Sequence, residues 1–310
     1  MWDAILTAFL RTNLPSTATV YLAIDRTGWR TVNLLVVSLI WKKRAIPVGW
    51  IRLETLGCSH YRDQTRLLSK ALTLLSAYSV VVLGDREFCS VALARWLGEQ
   101  GAHFCLRLKI STQIQTTDGA WQALSHLGLT PGTQAFLRPV RVAKTQGFGP
   151  ATIAGKWKRR YRGFAPDEPW FILTNLSTLD KAISAYQRRF GIEEMFRDFK
   201  SGGYRLEGCH VDGRRLMAIV MILSMAYLWA TVQGTHLKRT ARQAYLTRPE
   251  RQDETQMRHS AFRVGVAAYR WVPIWFDCQQ QVQHLMRLNW GKIDYYLKGL
   301  KAMDAILISL

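Results

Sequence analysis

The stretch TVYLAIDRTGWRTVNLLVVSLIWKKRAIPVGWIRLE (19–54) decides the fold. It reads as three strands in quick succession: TVYLAID (19–25), TVNLLVVSLIW (31–41) and IPVGWIRLE (46–54). WKKRA (41–45) supplies the turn between the second and third. β-branched and aromatic residues dominate these runs, and such side chains suit a pleated, buried surface. Further along, Leu67, Leu68, Ala71, Leu72, Leu74 and Leu75 recur at helical spacing over 61–77. SVVVLGD (79–85) is a short, continuously apolar run, as expected of a strand buried on both faces. A helix over 90–99 and a strand at HFCLRLK (103–109) complete an α/β pattern with a mixed sheet.

Beyond residue 109 the character changes. Residues 110–168 are rich in Gly, Thr, Gln and basic residues, with alternating stretches such as FLRPVRV (136–142), and read as a small β-rich insertion. WFILTNL (170–176) is a further strand, one long helix is expected over 179–200, and 216–310 reads mostly helical. The expected organisation is therefore an N-terminal segment (1–18), a first core part (19–109), a basic insertion (110–168), a second core part (169–235) and a helical C-terminal region (236–310).

Of the 310 residues, 48% are hydrophobic, and 12 Trp, 12 Phe and 11 Tyr argue for a folded chain rather than a disordered one. Lys and Arg number 42 against 22 Asp and Glu, a net charge of +20 that points to a polyanionic partner, nucleic acid before an anionic membrane. Between His103 and Gly163 ten basic residues face a single acid, Asp118, a net of +9. The densest part, KWKRRYR (156–162), interleaves Trp157 and Tyr161 with Lys156, Lys158, Arg159, Arg160 and Arg162. Cations hold phosphates and aromatic rings stack on bases, so this segment reads as DNA-contacting, with a solvated basic face as the plainer alternative.

Five cysteines, odd in number and without a CxxC pair, make a poor disulfide framework and fit a reducing cytoplasm. Neither Cys58/His60 nor Cys209/His210 has the spacing of a structural zinc site. Residues 1–14 carry Asp3 and lack the basic start of a signal peptide. The apolar run Leu216–Val232 sits at the lower edge of membrane-spanning length and reads as a core helix, so no membrane partner is expected.

With so few acids, position selects the carboxylates that matter. Asp25 ends the first strand and Asp85 ends the fourth, so if those strands are neighbours both emerge at one sheet edge, where α/β sheets place ligands. On the 179–200 helix, at about 100° per residue, Tyr186, Arg189, Glu193 and Lys200 share a stripe about 60° wide. Ile192, Met195, Phe196 and Phe199 form the core face, Glu194 and Asp198 fall on the water side, and Arg188 interrupts the apolar arc. A Glu between Arg and Lys has two readings: a row of helix ion pairs, or a third metal-binding carboxylate with phosphate-gripping partners.

AIDRT around Asp25, LGDREF around Asp85, and Tyr-x2-Arg-x3-Glu-x6-Lys from Tyr186 to Lys200 together resemble the cut-and-paste DDE transposases. More closely, they resemble the bacterial insertion-sequence-four family, whose hallmark is that Tyr-Arg-Glu-Lys signature. The resemblance covers residues 18–235. It implies a ribonuclease-H-like fold and an enzyme in which Asp25, Asp85 and Glu193 bind two divalent ions, Mg²⁺ or Mn²⁺, for DNA cleavage and strand transfer. It further implies that Tyr186, Arg189 and Lys200 hold transposon-end phosphates and that Trp170 stacks on a flipped base. The implied partners are end and target DNA and a second copy in a synaptic homodimer, with no small-molecule substrate. Family members carry a DNA-recognition domain before the first Asp, whereas only 24 residues precede Asp25 here. A truncated, inactive DNA-binding remnant and a nuclease without strand transfer are therefore the rival readings.

Overall fold

The computed structural model describes residues 1–116, 118–161, 166–211, 213–247, 259–272 and 275–309. The chain divides into two compact units, Met1–Ala218 and Ile219–Leu310.

The first unit opens with helix α1 (Trp2–Asn13), which the sequence reading left unassigned. Its apolar face meets the sheet through aromatic pairs: Phe9 lies edge-on to Trp41 at 5.1 Å, and Trp2 is 6.3 Å from Trp50. Strands β1 (Thr19–Trp29), β2 (Val32–Trp41) and β3 (Arg44–Arg52) follow as an antiparallel meander. All ten residues of β2 are buried, the polar Asn33 and Ser38 included, as in a strand covered on both faces. Helix α2 (Tyr61–Leu74), β4 (Ser79–Gly84), α3 (Val91–Glu99) and β5 (His103–Arg107) come next. β4 lies parallel to β1 on one side and to β5 on the other.

Four strands of the insertion, β6 (Gln113–Gln115), β7 (Trp121–Ala123), β8 (Gln134–Val142) and β9 (Phe148–Lys156), do not form a separate module. They continue the core sheet through β10 (Trp170–Thr174), which is antiparallel to both β5 and β9. The result is one ten-stranded mixed sheet in the order β3-β2-β1-β4-β5-β10-β9-β8-β6-β7. Its first five strands, with β2 and only β2 reversed against β1, β4 and β5, have the ribonuclease-H-like order.

The expected single helix over 179–200 is two segments, α4 (Leu179–Arg188) and α5 (Phe190–Phe199), joined at Arg189. There the ladder tightens to three-residue bonds, Arg189 N–H to Tyr186 O and Ile192 N–H to Arg189 O, both 3.0 Å. α5 can lie close on the sheet because Gly191 has no side chain: a Cβ there would sit 3.2 Å from Ile40 and 3.4 Å from the Arg44 backbone. Ile192, Met195 and Phe199 are buried as expected, and Phe196 is half-buried. The water-facing assignment of Glu194 and Asp198 is wrong. Asp198 is buried and Glu194 nearly so, because Arg44 of β3 reaches across to pair with them at 3.2 and 2.8 Å. Arg188 resolves its apolar surroundings by laying its guanidinium over the Tyr21 ring at 4.6 Å.

The second unit is helical, as expected. It holds most of α6 (Gly213–Arg239), then α7 (Ala261–Trp271), α8 (Trp275–Leu288) and α9 (Ile293–Ser309). α6 and α7 cross at van der Waals closeness, since Cβ atoms at Gly234 and Gly265 would run into the backbones of Ala261 and Ala230. Leu237, Val264, Ala268 and Ile306 form a core there. By length and composition α6 could cross a membrane, yet it is buried at Leu216, Val220, Ser224, Tyr227 and Ala230 while Ile222 and Trp229 are exposed.

Candidate active site

The parallel register of β1 and β4 builds the site. Ile24 is paired with Gly84, so the following residues, Asp25 and Asp85, emerge side by side. Asp25 does not end its strand, as the sequence reading had it: β1 runs on to Trp29 in its hairpin with β2, and it is β4 that stops at Gly84. Gly84 permits the tight exit, because a Cβ there would lie 2.8 Å from that of the fully buried Phe88. Each carboxylate is oriented by backbone. Asp25 Oδ1 accepts from Arg26 N–H at 2.7 Å, and Asp85 Oδ1 accepts from Glu87 N–H at 2.8 Å, capping the short 3-10 turn Arg86–Phe88.

The bend between α4 and α5 aims Arg189 at this edge. Its guanidinium donates to Asp25 Oδ2 at 2.9 Å and pairs also with Glu193, one helical turn on. Asp25 and Glu193 are thus joined through Arg189. Burial raises the Asp25 pKa most; Arg189 lowers it, and Asp85 and Glu193 raise it again, leaving it at about 6. Burial pulls Arg189 down, but Tyr186, Asp25, Glu193 and Asp85 outweigh it, so it stays a cation. Tyr186 is buried beside it, which pushes the phenol up. The buried Tyr186 hydroxyl and Arg189 Nε have no hydrogen-bond partner in any other described residue, although the phenol lies within reach of the Arg189 side chain. Two buried donors of this kind suit an incoming anionic oxygen.

The other sequence-selected residues surround this centre. Trp170 opens β10, and the antiparallel pairing with β5 puts it at the edge where Asp85 emerges. It is half-buried, edge-on to Tyr186 at 5.1 Å, with Lys158 Nζ 4.7 Å from its ring centroid. Lys156 is its direct partner across β9, so the basic segment leaves the sheet beside it, and Lys158, Arg159 and Arg160 are exposed. Arg162 lies outside the described residues. Lys200 completes the stripe: it donates to Gly28 O and pairs with Glu207, both at 3.0 Å.

Sequence reading passed over several residues. Arg26 and Glu87 pair at 2.9 Å, and Glu168, two residues before Trp170, accepts from Arg86 at 2.6 Å and Arg107 at 2.7 Å. The available signal was the Asp-Arg dipeptide common to AIDRT and LGDREF, although the two arginines find different partners.

Three carboxylates are hard oxygen donors of the kind divalent cations take. As the side chains stand, no three His, Cys, Asp or Glu groups among the described residues are gathered closely enough to hold an ion. The Arg189 guanidinium lies between Asp25 and Glu193 and serves as their counter-cation. By chemistry alone the three carboxylates suit a divalent ion.

Residues 51–229 match the family model described as Transposase DDE domain, which is more than half of the chain. The chain belongs to the DDE transposase family. Members of this family generally use divalent metal ions. The matched range contains Asp85 and Glu193 and begins after Asp25. No curated protein matches this DDE transposase. Among solved structures it is similar to the piggyBac transposase synaptic complex with hairpin DNA, at 11% identity and a TM-score of 0.39 over 58% of this chain and 40% of that one. It is also similar to the Marinitoga piezophila Argonaute in complex with 5′ OH guide RNA and target DNA, at 8% identity and a TM-score of 0.24 over 56% and 25%.

Proposed function

We propose that this DDE transposase cleaves and joins DNA at the ends of an insertion sequence, with Asp25, Asp85 and Glu193 holding two divalent ions, Mg²⁺ or Mn²⁺. One observation carries the reading: the register of β1 and β4 sets Asp25 beside Asp85, and Arg189 links Asp25 to Glu193. Divalent ions bound there would supply charge that activates a water and stabilises the leaving oxygen in phosphodiester cleavage.

The chain's own residues do the rest. Arg189, released from the carboxylates, and Tyr186 offer their buried donors to a backbone phosphate. Lys200, anchored near the end of β1, extends the cationic stripe along the strand. Lys158, Arg159 and Arg160 hold the DNA beyond it by charge. Trp170 offers a ring face to an extruded base when Lys158 moves off it. Each chain carries one carboxylate set, so two ends call for two chains, and we infer a homodimer acting in the cytoplasm. The five cysteines, all free, support that compartment.

The test is cleavage and joining of end-containing DNA with Mn²⁺ by Asp25→Asn, Asp85→Asn and Glu193→Gln. Each is expected to lose cleavage by a factor on the order of 10³ or more. Wild-type cleavage by any of them removes that residue from the site. Cutting without joining by the unaltered protein would make it a nuclease instead.

A further inference from the structure

Beside the carboxylates, and touching neither ions nor DNA in the reading above, stands a polar network whose two central residues are placed reciprocally. Arg26 holds the Asp25 carboxylate with its backbone N–H at 2.7 Å, and its side chain grips Glu87, Nε lying 2.9 and 3.1 Å from the two carboxylate oxygens. Glu87 holds the Asp85 carboxylate with its backbone N–H at 2.8 Å, and its side chain grips Arg26. One ion pair therefore ties together the two amides that orient the two aspartates.

The pair is itself pinned. Glu87 Oε1 also accepts from Ser59 N–H and Oγ, both at 2.8 Å, and Ser59 is held in turn by buried Gln64. Arg26 NH1 donates to Asn33 Oδ1 at 3.1 Å, and buried Asn33 donates to Thr55 O and Gly57 O at 2.6 and 3.0 Å. Only 12% of the Glu87 side chain is exposed, so the pair is shielded enough for its geometry to matter. A solvated surface pair would need none of these supports.

We propose that Arg26 and Glu87 are positioning residues, a brace that fixes the Asp25 and Asp85 carboxylates relative to each other as a metal-binding pair. The inference rests on the reading of those aspartates as metal ligands. It has a signature that charge alone does not produce. Through the electrostatic field, removing the Arg26 cation would tighten Mn²⁺ binding and removing the Glu87 anion would loosen it. Through the brace, both changes loosen it, because each frees one carboxylate from the other.

The experiment measures Mn²⁺ binding to the full chain without DNA, by the paramagnetic resonance of free Mn²⁺. Thermal unfolding in chelator runs alongside. Arg26→Ala and Glu87→Ala are each expected to weaken binding on the order of 10- to 100-fold. The double variant should bind no worse than the weaker single, since either change already breaks the pair. Arg26→Gln secures the test if the alanine variants fold poorly, because charge alone tightens its Mn²⁺ binding whereas loss of the brace weakens it several-fold. Glu87→Gln, which keeps its shape and its Ser59 contacts, should melt near the wild type and bind several-fold more weakly. Tighter binding by Arg26→Ala or Arg26→Gln, or wild-type binding by Glu87→Gln, would overturn the brace. Asp85→Asn controls the underlying reading: lost binding there with unchanged binding in Glu87→Gln sinks the brace alone, whereas retained binding in Asp85→Asn sinks both.

Discussion

Asp25 shows most plainly what the fold does to a single residue. Its carboxyl is buried beside two other acids, and one arginine only partly offsets that, so its pKa stands at about 6 rather than 3.8. A folded pKa above the unfolded one means that the native state binds the proton more tightly. The stability this confers is complete below the unfolded value and is lost as pH rises from about 4 through about 6. Asp25→Asn should therefore melt above the wild type in chelator at pH 7, by roughly 2–3 kcal/mol. The two should converge at pH 4. Equal melting at both pH values would show that Asp25 is not held in an unfavourable charged state. Arg189→Ala removes the main influence lowering that pKa, so it should move the loss to higher pH. Sequence alone selected Asp25, Asp85 and Glu193 because acids are few and these three sit at strand ends or in a cationic stripe. It could not choose between an ion-pair row and a metal ligand for Glu193. In the folded chain Glu193 is ion-paired to Arg189, in the same place where a ligand would be wanted.

At the scale of elements, periodicity gave the helix stripe but not its bend. A wheel assumes constant turn, whereas the three-residue bonds around Arg189 tighten it locally while Tyr186, Arg189 and Lys200 still face the Asp25 edge. The same assumption misplaced Asp198, because nothing local to the helix announces that Arg44 arrives from β3. Insertion strands were legible as strands, yet not as part of the core sheet, since pairing partners far apart in sequence leave no local trace. The pairing matters for function: Lys156 lies against Trp170, so the basic segment emerges at the edge that carries the aspartates. Reversing the charge of exposed Lys158, Arg159 and Arg160 should weaken duplex binding strongly at low salt. It should also reduce the slope of log affinity against log salt by up to about 0.9 for each phosphate that is no longer neutralised. An unchanged slope would mark the segment as a solvated face.

Across the whole molecule, the succession of strands and helices along the first core part was readable because each carries its own apolar run, whereas the parallel pairing of β1 with β4, only a condition in the sequence reading, is seen in the fold. That pairing converts two acids that are unremarkable by themselves into one site. What the sequence concealed is the support: α1 against Trp41 and Trp50, the Arg44 cross-link, and the Arg26–Glu87 pair are all made by residues distant along the chain. The central claim is that the carboxylates at the edge of β1 and β4 bind the ions that cleave DNA. It is tested most directly by Asp85→Cys, which exchanges a hard oxygen ligand for a softer sulfur. Cleavage of end-containing DNA should then be lost with Mg²⁺ and recovered in part with Mn²⁺. Equal activity of the cysteine variant with both ions, at the wild-type rate, would contradict the account.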